Sequence, residues 1–323
     1  MINVISQHGQ YSIHLKKNFL HDPRVTLCIA DEKFRGQIPV PTFFVQAHEE
    51  NKSLKTCQAI FDFFQRHRLT KEQWVLGMGG GLIHDITSFA CALYMRGVPW
   101  LFMPTTTLCA MDACLGGKNA VNVDGIKNLI GTYYPPREIA IDLTFFRQLS
   151  AMHFRNGFFE AAKTCAVGGL ASFEQYLAYY EQNDLESVIR LSLTCKKEIV
   201  ERDEFDTGKR LLLNFGHTFG HAFETVTNFE LPHGFAVGLG MLVVLEKSPD
   251  SQLKSLMIPH IEILLSGYEE IWQPLYIKFQ TEGEFRAEIF SIMQKDKKAT
   301  KEGIRFIYPT QDSVMTCNFL REL

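Results

Sequence analysis

The feature that most constrains the fold of this chain is a glycine-rich turn between a strand and an apolar helix. The residue pattern indicates a strand in WVLGMGGG (74–81) that runs into the turn, a helix in ITSFACALYMRG (86–97) and a further strand in PWLFMPT (99–105). Strand–helix–strand alternation predicts a parallel sheet covered by helices. Ligands of such sheets bind at the carboxyl ends of the strands, which is where this turn lies.

From about residue 145 onward, strand patterns become scarce and helical patterns dominate. Helices are indicated at residues 145–168, 173–204 and 217–229. One late strand is a candidate at IRFIYPT (304–310). We therefore predict an α/β N-terminal nucleotide-binding domain with a parallel sheet, residues 1–150, followed by an all-α C-terminal domain for metal and substrate, residues 151–323.

Composition narrows the class of protein and its partners. The 323 residues suffice for two domains, and the net charge of −3 offers no basic excess for nucleic acid. The eight cysteines form no CxxC pair, which favours a reducing compartment over a disulfide framework. We find no signal peptide and no apolar run long enough for a bilayer, so a cytoplasmic enzyme without a membrane partner is expected.

The glycine cluster GMGGG (77–81) is a candidate phosphate cradle. Glycines let backbone N–H groups approach a pyrophosphate, and the following helix presents its positive end. A plain turn between strand and helix is the alternative, and the absence of a GxGxxG pattern disfavours a standard Rossmann dehydrogenase. GGK (116–118) and GIKN (125–128) add lysines on glycine-rich loops, which suit phosphate but also occur as ordinary turns.

Histidines in the second half of the chain have the spacing of metal ligands. His217 and His221 lie one helical turn apart, so both can point the same way, and His233 follows a proline on a loop. Glu160 lies in an apolar stretch, where a carboxylate is costly to bury without a counter-charge. Together they suit a catalytic Zn²⁺ site with an open position, whereas solvated histidines on a surface helix are the alternative. Spacing alone does not decide which histidines bind the metal.

The chain resembles the dehydroquinate synthase family of sugar-phosphate cyclases in eight motifs. The motifs occur in the same order as in that family. They are GGGLIHD, LYMRG, PTTTL, DACLGGKNAVN, GIKNLIGTYYPP, FFEAAK, DEFDTGKRLLLNFGHTFGHAFE and LPHG, and they span about residue 25 to about residue 307. The resemblance implies a nucleotide-binding α/β domain and an α-helical domain with the site in the cleft, a homodimer, NAD, and a divalent metal, Zn²⁺ or Co²⁺. It also implies hydride transfer to NAD and back, so the reaction has no net redox change.

By matching motif, the resemblance also implies a role for individual residues. The metal ligands would be Glu160, His217 and His233, and His221 would transfer protons. Arg96 would reach the substrate phosphate across the dimer. The substrate would also contact Asp112, Lys118, Asn128, Lys163, Lys196, Arg210, Asn214 and, from the charged run KDKK, Lys297. NAD would contact Asp31, Glu49, Lys52, Gly79, Gly80, Gly81, Asp85, Thr105 and Thr106, together with Asp112, Lys118 and Lys127.

The chain departs from the family pattern at three positions, and Arg210 is implied to decide the substrate. His84 and Ser88 replace two glycines of the family's turn, and Phe235 replaces a glutamate. The counterpart of Arg210 in the founding enzyme binds a substrate carboxylate, which favours an acidic sugar phosphate, 3-deoxy-arabino-heptulosonate 7-phosphate. The alternatives are a cyclase of sedoheptulose 7-phosphate or glucose 6-phosphate, a metal-dependent polyol dehydrogenase, and a degenerate homologue that only binds NAD.

Overall fold

The chain folds into two compact units. The computed structural model describes residues 1–295, 299–300 and 303–320. The first unit comprises Met1–Ser150 with Val200–Phe205, and the second comprises Ala151–Ile199 with Asp206–Leu323. Within the described part of the chain, no helix combines the length and the apolar character that a bilayer crossing requires.

The first unit is built on a seven-stranded sheet. Its strands and helices are β1 (Ile2–Ser6), β2 (Gly9–Leu15), β3 (Val25–Asp31), β4 (Thr42–Val45), α1 (Leu54–Arg66), β5 (Trp74–Gly79), α2 (Gly81–Leu93), β6 (Trp100–Pro104), β7 (Lys118–Val123), β8 (Ile126–Tyr133) and β9 (Glu138–Ile141). The sheet order is β1-β2-β9-β6-β5-β3-β4. All neighbours from β2 to β4 pair in parallel, and β1 joins β2 as an antiparallel hairpin. The predicted parallel sheet is confirmed.

The core of this sheet follows from its strand sequences. β3, β5 and β6 are almost continuously apolar and are buried on both faces, as parallel strands covered by helices must be. From β3 the chain first adds β4 on one side and then crosses through α1 to β5 on the other side. The carboxyl ends of β3 and β5 therefore flank a topological switch point, the usual place for a ligand in such sheets.

The glycine-rich segments GGK and GIKN, expected as loops, belong largely to a hairpin. Lys118 begins β7, and β8 returns antiparallel with Val123 paired to Ile126. The turn between the strands is Asp124–Gly125, and both residues have positive φ, at 49° and 79°. Asp-Gly is the residue pair that a two-residue type I′ hairpin turn favours, so the hairpin signal was present in the sequence.

The second unit is mainly helical. Its elements are α3 (Ala151–Val167), α4 (Leu170–Glu181), α5 (Leu185–Arg202), α6 (His217–Val226), α7 (His233–Lys247), α8 (Gln252–Leu265), α9 (Glu269–Thr281), α10 (Gly283–Lys295), β10 (Ala299–Thr300), β11 (Gly303–Pro309) and β12 (Met315–Leu320). The last residues of α5 belong to the first unit. The late strand expected at 304–310 is β11, and it forms a small antiparallel sheet with β10 and β12.

The helix α3 is buried along most of its length. Its buried stretch runs from Asn156 to Ala166, so even its charged side chains lie inside the unit.

The segment 173–204, predicted as one helix, divides into α4 and α5 at Asn183, whose φ is +54°. Asp184 then caps α5 by accepting from the Ser187 backbone N–H at 3.1 Å, which gives α5 a separate start.

Candidate nucleotide and metal sites

The glycine turn of the first unit is a candidate anion-binding surface. Gly79 ends β5, Gly80 is the extended residue before the helix, and Gly81 begins α2. A Cβ on Gly79 would lie 2.4 Å from Ile83 Cγ1, so this position requires glycine, whereas a Cβ on Gly81 would meet no protein atom within 4 Å. No described side chain caps α2. Its first N–H groups and its dipole therefore face open space suited to a phosphate.

Thr105 and Thr106 line the same turn from the end of β6. The Thr105 N–H donates to the Gly79 carbonyl at 2.9 Å, and the Thr106 hydroxyl accepts from the Cys109 N–H at 3.2 Å. Thr105 Oγ1 is buried and has no hydrogen-bond partner among the described residues. A buried hydroxyl without a partner costs free energy, so this threonine fits a site that a polar ligand completes.

The charged residues predicted to contact NAD or substrate form a connected group in the first unit. Lys52 is buried, pairs with Asp85 at 2.5 Å and donates to Asn128 Oδ1. Burial alone would raise the pKa of Asp85, but the adjacent Lys52 ammonium holds it below its ordinary value. Lys127 lies 3.8 Å from Glu49 Oε1. Residues distant in sequence are thus brought together beside α2.

The remaining predicted residues of the first unit lie at the ends of elements or in turns. Asp31 ends β3 and accepts from the Lys33 N–H, and Asp112 lies in a π-helical turn, Cys109–Ala113. Lys118 begins β7. Arg96 is exposed in a short turn after α2, where Met95 and Arg96 both have positive φ, at 50° and 63°. Such backbone is strained for non-glycine residues and often accompanies function.

His84 and Ser88, which replace glycines of the family pattern, point into the protein. The His84 ring is fully buried and meets Phe102 edge to face at 4.9 Å. Ser88 Oγ donates to the Tyr134 carbonyl at 2.8 Å and accepts from Asn119 Nδ2 at 2.7 Å. Both side chains therefore lie within the first unit, and the buried Nε2 of His84 has no hydrogen-bond partner among the described residues.

A carboxylate and two imidazoles converge in the second unit. Glu160 lies within α3 and is 1% exposed, while His217 and His233 are the first residues of α6 and α7. Glu160 Oε1 lies 3.4 Å from His217 Nε2 and 3.3 Å from His233 Nε2. Bonds of about 2.0–2.1 Å at a tetrahedral Zn²⁺ separate neighbouring ligand atoms by roughly 3.3–3.4 Å. Glu160 Oε1 has no well-formed hydrogen bond among the described residues, so these three residues fit a divalent metal.

The electrostatics of this cluster also favour a cation. Burial alone would raise the pKa of Glu160, but the paired Lys163 ammonium and His233 hold it well below its ordinary range. Burial likewise opposes protonation of His233, yet the carboxylates of Glu160 and Glu224 raise its pKa to about 10. A divalent cation can take the place of that proton on the imidazole.

A second, overlapping group of potential ligands lies beside the first. His221, Glu224 and His233 also bring ligand atoms within 4.8 Å of one another. The ring centroid of His221 lies 5.4 Å from that of His217. Glu224 is the last residue of the quoted motif HTFGHAFE, yet sequence reasoning assigned it no role, because its contact with His233 depends on how α6 meets α7.

The other residues predicted for the substrate are spread over the second unit. Lys163, Lys196 and Arg210 are buried, at 2%, 6% and 3% exposed. Arg210 and Asn214 lie in the 3₁₀ segment Lys209–Asn214, which packs against α3. Lys297 lies outside the described residues. Phe235 is fully buried and packs against Phe159 and Tyr268, with ring centroids at 4.9 and 5.3 Å.

A parallel-sheet unit followed by a mainly helical unit is also the fold of solved structures of 2-deoxy-scyllo-inosose synthase, to which the chain is 20% identical. Residues 42–156 match the sequence model of the 3-dehydroquinate synthase N-terminal domain, and residues 157–299 match that of the C-terminal domain. The chain belongs to the 3-dehydroquinate synthase family.

Individual relatives agree with this assignment. The chain is 33% identical over 290 residues to the 3-dehydroquinate synthase of Clostridium tetani, covering 85% of this chain and 74% of that protein. A 2-deoxy-scyllo-inosose synthase, solved with carbaglucose-6-phosphate, NAD⁺ and Co²⁺, superposes with a TM-score of 0.78 at 20% identity, covering 98% of this chain and 93% of that one. A 2-epi-5-epi-valiolone synthase from Streptomyces hygroscopicus, with NAD⁺ and Zn²⁺ bound, superposes with a TM-score of 0.73 at 23% identity, covering 97% of this chain and 93% of that one. These two structures show the shared fold.

Proposed function

We propose that this protein catalyses the 3-dehydroquinate synthase reaction. The substrate is 3-deoxy-arabino-heptulosonate 7-phosphate, the products are 3-dehydroquinate and phosphate, and the cofactors are NAD and a divalent metal, Zn²⁺ or Co²⁺. Family membership over most of the chain supports the activity. The two solved cyclases of the same fold contain NAD⁺ with Co²⁺ or Zn²⁺, which supports the cofactors. The reaction is a step of the shikimate route to aromatic amino acids.

The observation that carries the proposal is the cluster of Glu160, His217 and His233. Their donor atoms have separations suited to a tetrahedral metal, and the buried oxygen of Glu160 is left with lone pairs to donate. Three protein ligands leave one coordination position for a substrate hydroxyl, which is the arrangement of a catalytic rather than a structural site.

Different residues of the chain would have different roles in the reaction. A divalent ion held by Glu160, His217 and His233 would polarise the reacting hydroxyl, and NAD bound at the glycine turn would accept a hydride and later return it. Lys163 keeps the Glu160 carboxylate ionised through their ion pair. His221, one turn along α6 from His217, is the proposed proton carrier.

Buried cations would hold the two anionic groups of the substrate. Arg210 presents a planar guanidinium that binds a carboxylate in a bidentate manner, and it is only 3% exposed. Lys196 is 6% exposed in α5. Guanidinium and ammonium groups are the side chains that bind carboxylate and phosphate, so we assign both residues to the anionic substrate. Lys118, Asn128, Asp112 and Asn214 complete the proposed substrate set.

The homodimer belongs to the same proposal. Arg96 is exposed in its strained turn, and the neighbouring Leu93 and Met95 are 51% and 46% exposed. An arginine presented on an apolar surface suits a contact with a second copy, to whose substrate phosphate Arg96 would contribute. Sedimentation of the purified protein should give the mass of a dimer.

The test of the proposed function is a substrate comparison. Purified protein with NAD and Zn²⁺ or Co²⁺ should release phosphate from 3-deoxy-arabino-heptulosonate 7-phosphate faster than from sedoheptulose 7-phosphate or glucose 6-phosphate. NADH absorbance should not accumulate, because the hydride returns to the substrate within each turnover.

Two other outcomes would each contradict the proposal. Faster phosphate release from either neutral sugar phosphate would make the protein a cyclase of secondary metabolism and would reassign Arg210. Stoichiometric NADH without phosphate release would instead indicate a polyol dehydrogenase.

A further inference from the structure

His233 is held at both of its ring nitrogens. Nε2 faces Glu160 Oε1 at 3.3 Å, and Nδ1 lies 3.2 Å from Glu224 Oε1. The Glu224 side chain is 14% exposed and that of His233 is 32% exposed, so the contact is partly shielded from water. The imidazole therefore lies between two carboxylates that come from different helices, α3 and α6.

The placement of Glu224 follows from the geometry of α6. His217 and Glu224 are seven residues apart, which is about two helical turns, so both side chains project from one face of the helix. α7 packs closely on α6 and begins at His233. One face of α6 thus supplies a candidate metal ligand and, two turns later, a carboxylate for the second imidazole.

The backbone beside His233 is anchored from α3. The Gly234 N–H donates to Asn156 Oδ1 at 2.6 Å, and Asn156 lies one turn before Glu160 on the same helix. A Cβ on Gly234 would lie 2.1 Å from the Asn156 carbonyl oxygen, so only glycine permits this approach. The contact fixes the position of the His233 backbone, and the orientation of its ring is then left to its two nitrogens.

We propose that Glu224 is the positioning residue of His233. By accepting a hydrogen bond from Nδ1–H, it selects the tautomer whose Nε2 lone pair points toward Glu160, and it fixes the plane of the ring. A metal-bound histidine characteristically has such a partner, and its loss typically weakens metal binding 10- to 100-fold. The residue after Gly234, Phe235, is packed in the core and provides no polar group for this purpose. The inference rests on the proposed function, because it requires that His233 binds a metal.

The experiment measures metal affinity in the absence of substrate. Metal-free wild type, Glu224→Ala, Glu224→Gln and Glu230→Gln proteins are titrated with Zn²⁺ in competition with a chromophoric chelator, and the Co²⁺ absorption spectrum of each is recorded. Glu230 is exposed and six residues further along, so Glu230→Gln removes the same charge without touching His233. Circular dichroism verifies that each variant is folded.

We expect Glu224→Ala to bind Zn²⁺ at least tenfold more weakly, and Glu224→Gln to recover much of the loss because its amide oxygen still accepts from Nδ1–H. The Co²⁺ spectrum of Glu224→Gln should match that of the wild type, and Glu230→Gln should bind as the wild type does. If Glu224→Ala bound Zn²⁺ as tightly as the wild type does, this inference would be overturned and the proposed function would stand. An altered spectrum of bound Co²⁺ in Glu224→Gln would also overturn it, because Glu224 would then be a ligand. Absence of metal binding in the wild type would overturn the proposed function as well.

Discussion

At the scale of single residues, the second unit is notable for charges buried inside helices. Glu160 and Lys163 neutralise one another through an i, i+3 pair, which makes their burial tolerable. Lys196 and Arg210 are buried as deeply in other elements. Replacing such charges by apolar residues is often neutral or stabilising, so burial by itself does not assign a stabilising role to them.

Arg210→Ala should therefore separate substrate binding from metal binding. Losing a bidentate, charge-assisted contact should lower kcat/KM by roughly a hundredfold or more, about 3 kcal/mol in transition-state binding. Zn²⁺ affinity should stay at the wild-type value, because the proposed ligands are other residues. Lys209→Ala is the matched control, since Lys209 is the adjacent exposed cation. An unchanged kcat/KM in Arg210→Ala would remove the reason for assigning an acidic substrate.

At the scale of elements, α4 and α8 meet through a buried histidine that has no part in the proposed chemistry. His260 is 4% exposed, and its Nε2 lies 2.8 Å from the hydroxyl of Tyr176. The rings of Phe173 and Tyr180 meet it edge to face. Burial lowers the pKa of His260 to about 4, so the imidazole is neutral near pH 7.

This histidine should make stability depend on pH. In the unfolded chain it takes up a proton near pH 6.5, but in the folded protein only near pH 4, so its contribution is full above about pH 6.5 and is lost as the pH falls toward 4. Between pH 7 and pH 5 the loss should be about 2 kcal/mol. His260→Gln does not titrate, and its deficit relative to wild type in denaturant unfolding should shrink by that amount at pH 5. An equal deficit at both pH values would show that His260 is not protected from protonation.

At the scale of the whole molecule, the two units carry separate candidate sites. The proposed pyrophosphate contacts of NAD lie at the glycine turn of the first unit, and the proposed metal ligands lie in the second. A ligand that binds only the folded state stabilises it by about 2.7 kcal/mol at one hundred times its dissociation constant. Each site can thus be followed by thermal unfolding without any catalytic assay.

Two substitutions should remove these stabilisations selectively. In Gly81→Ala, the new Cβ meets no protein atom and Ala favours the helix, so the ligand-free protein should be as stable as wild type or slightly more so. The methyl group occupies the space proposed for pyrophosphate, so the NAD-dependent rise in Tm should fall while the Zn²⁺-dependent rise persists. In His217→Ala, the Zn²⁺-dependent rise in Tm should fall while the NAD-dependent rise persists. Retention of the full NAD effect in Gly81→Ala would place the cofactor elsewhere.

Much of the fold could be predicted from local pattern. The buried apolar runs of β3, β5 and β6, separated by a helix with an apolar face, leave a parallel sheet as the natural arrangement. The β7–β8 hairpin was missed although its Asp-Gly turn was visible, because the glycines and lysines were interpreted as a ligand loop. The split of segment 173–204 was missed because helical periodicity continues across Asn183, and only its left-handed backbone ends the first helix.

Some features of the candidate sites could likewise be predicted from the sequence, whereas others depend on the tertiary structure. Residue types and spacing alone determined that Glu160, His217, His221 and His233 were candidate ligands, because a helix places residues four apart on one face. Which imidazole nitrogens face Glu160 depends on the packing of α3, α6 and α7, since contacts between residues 57 and 73 positions apart have no local signal. The same packing decided that Glu224 faces His233. The packing of α2 on β6 in the first unit decided that His84 points into the core. Side-chain direction across an interface is set by how the elements meet, and no periodicity within a single element encodes it.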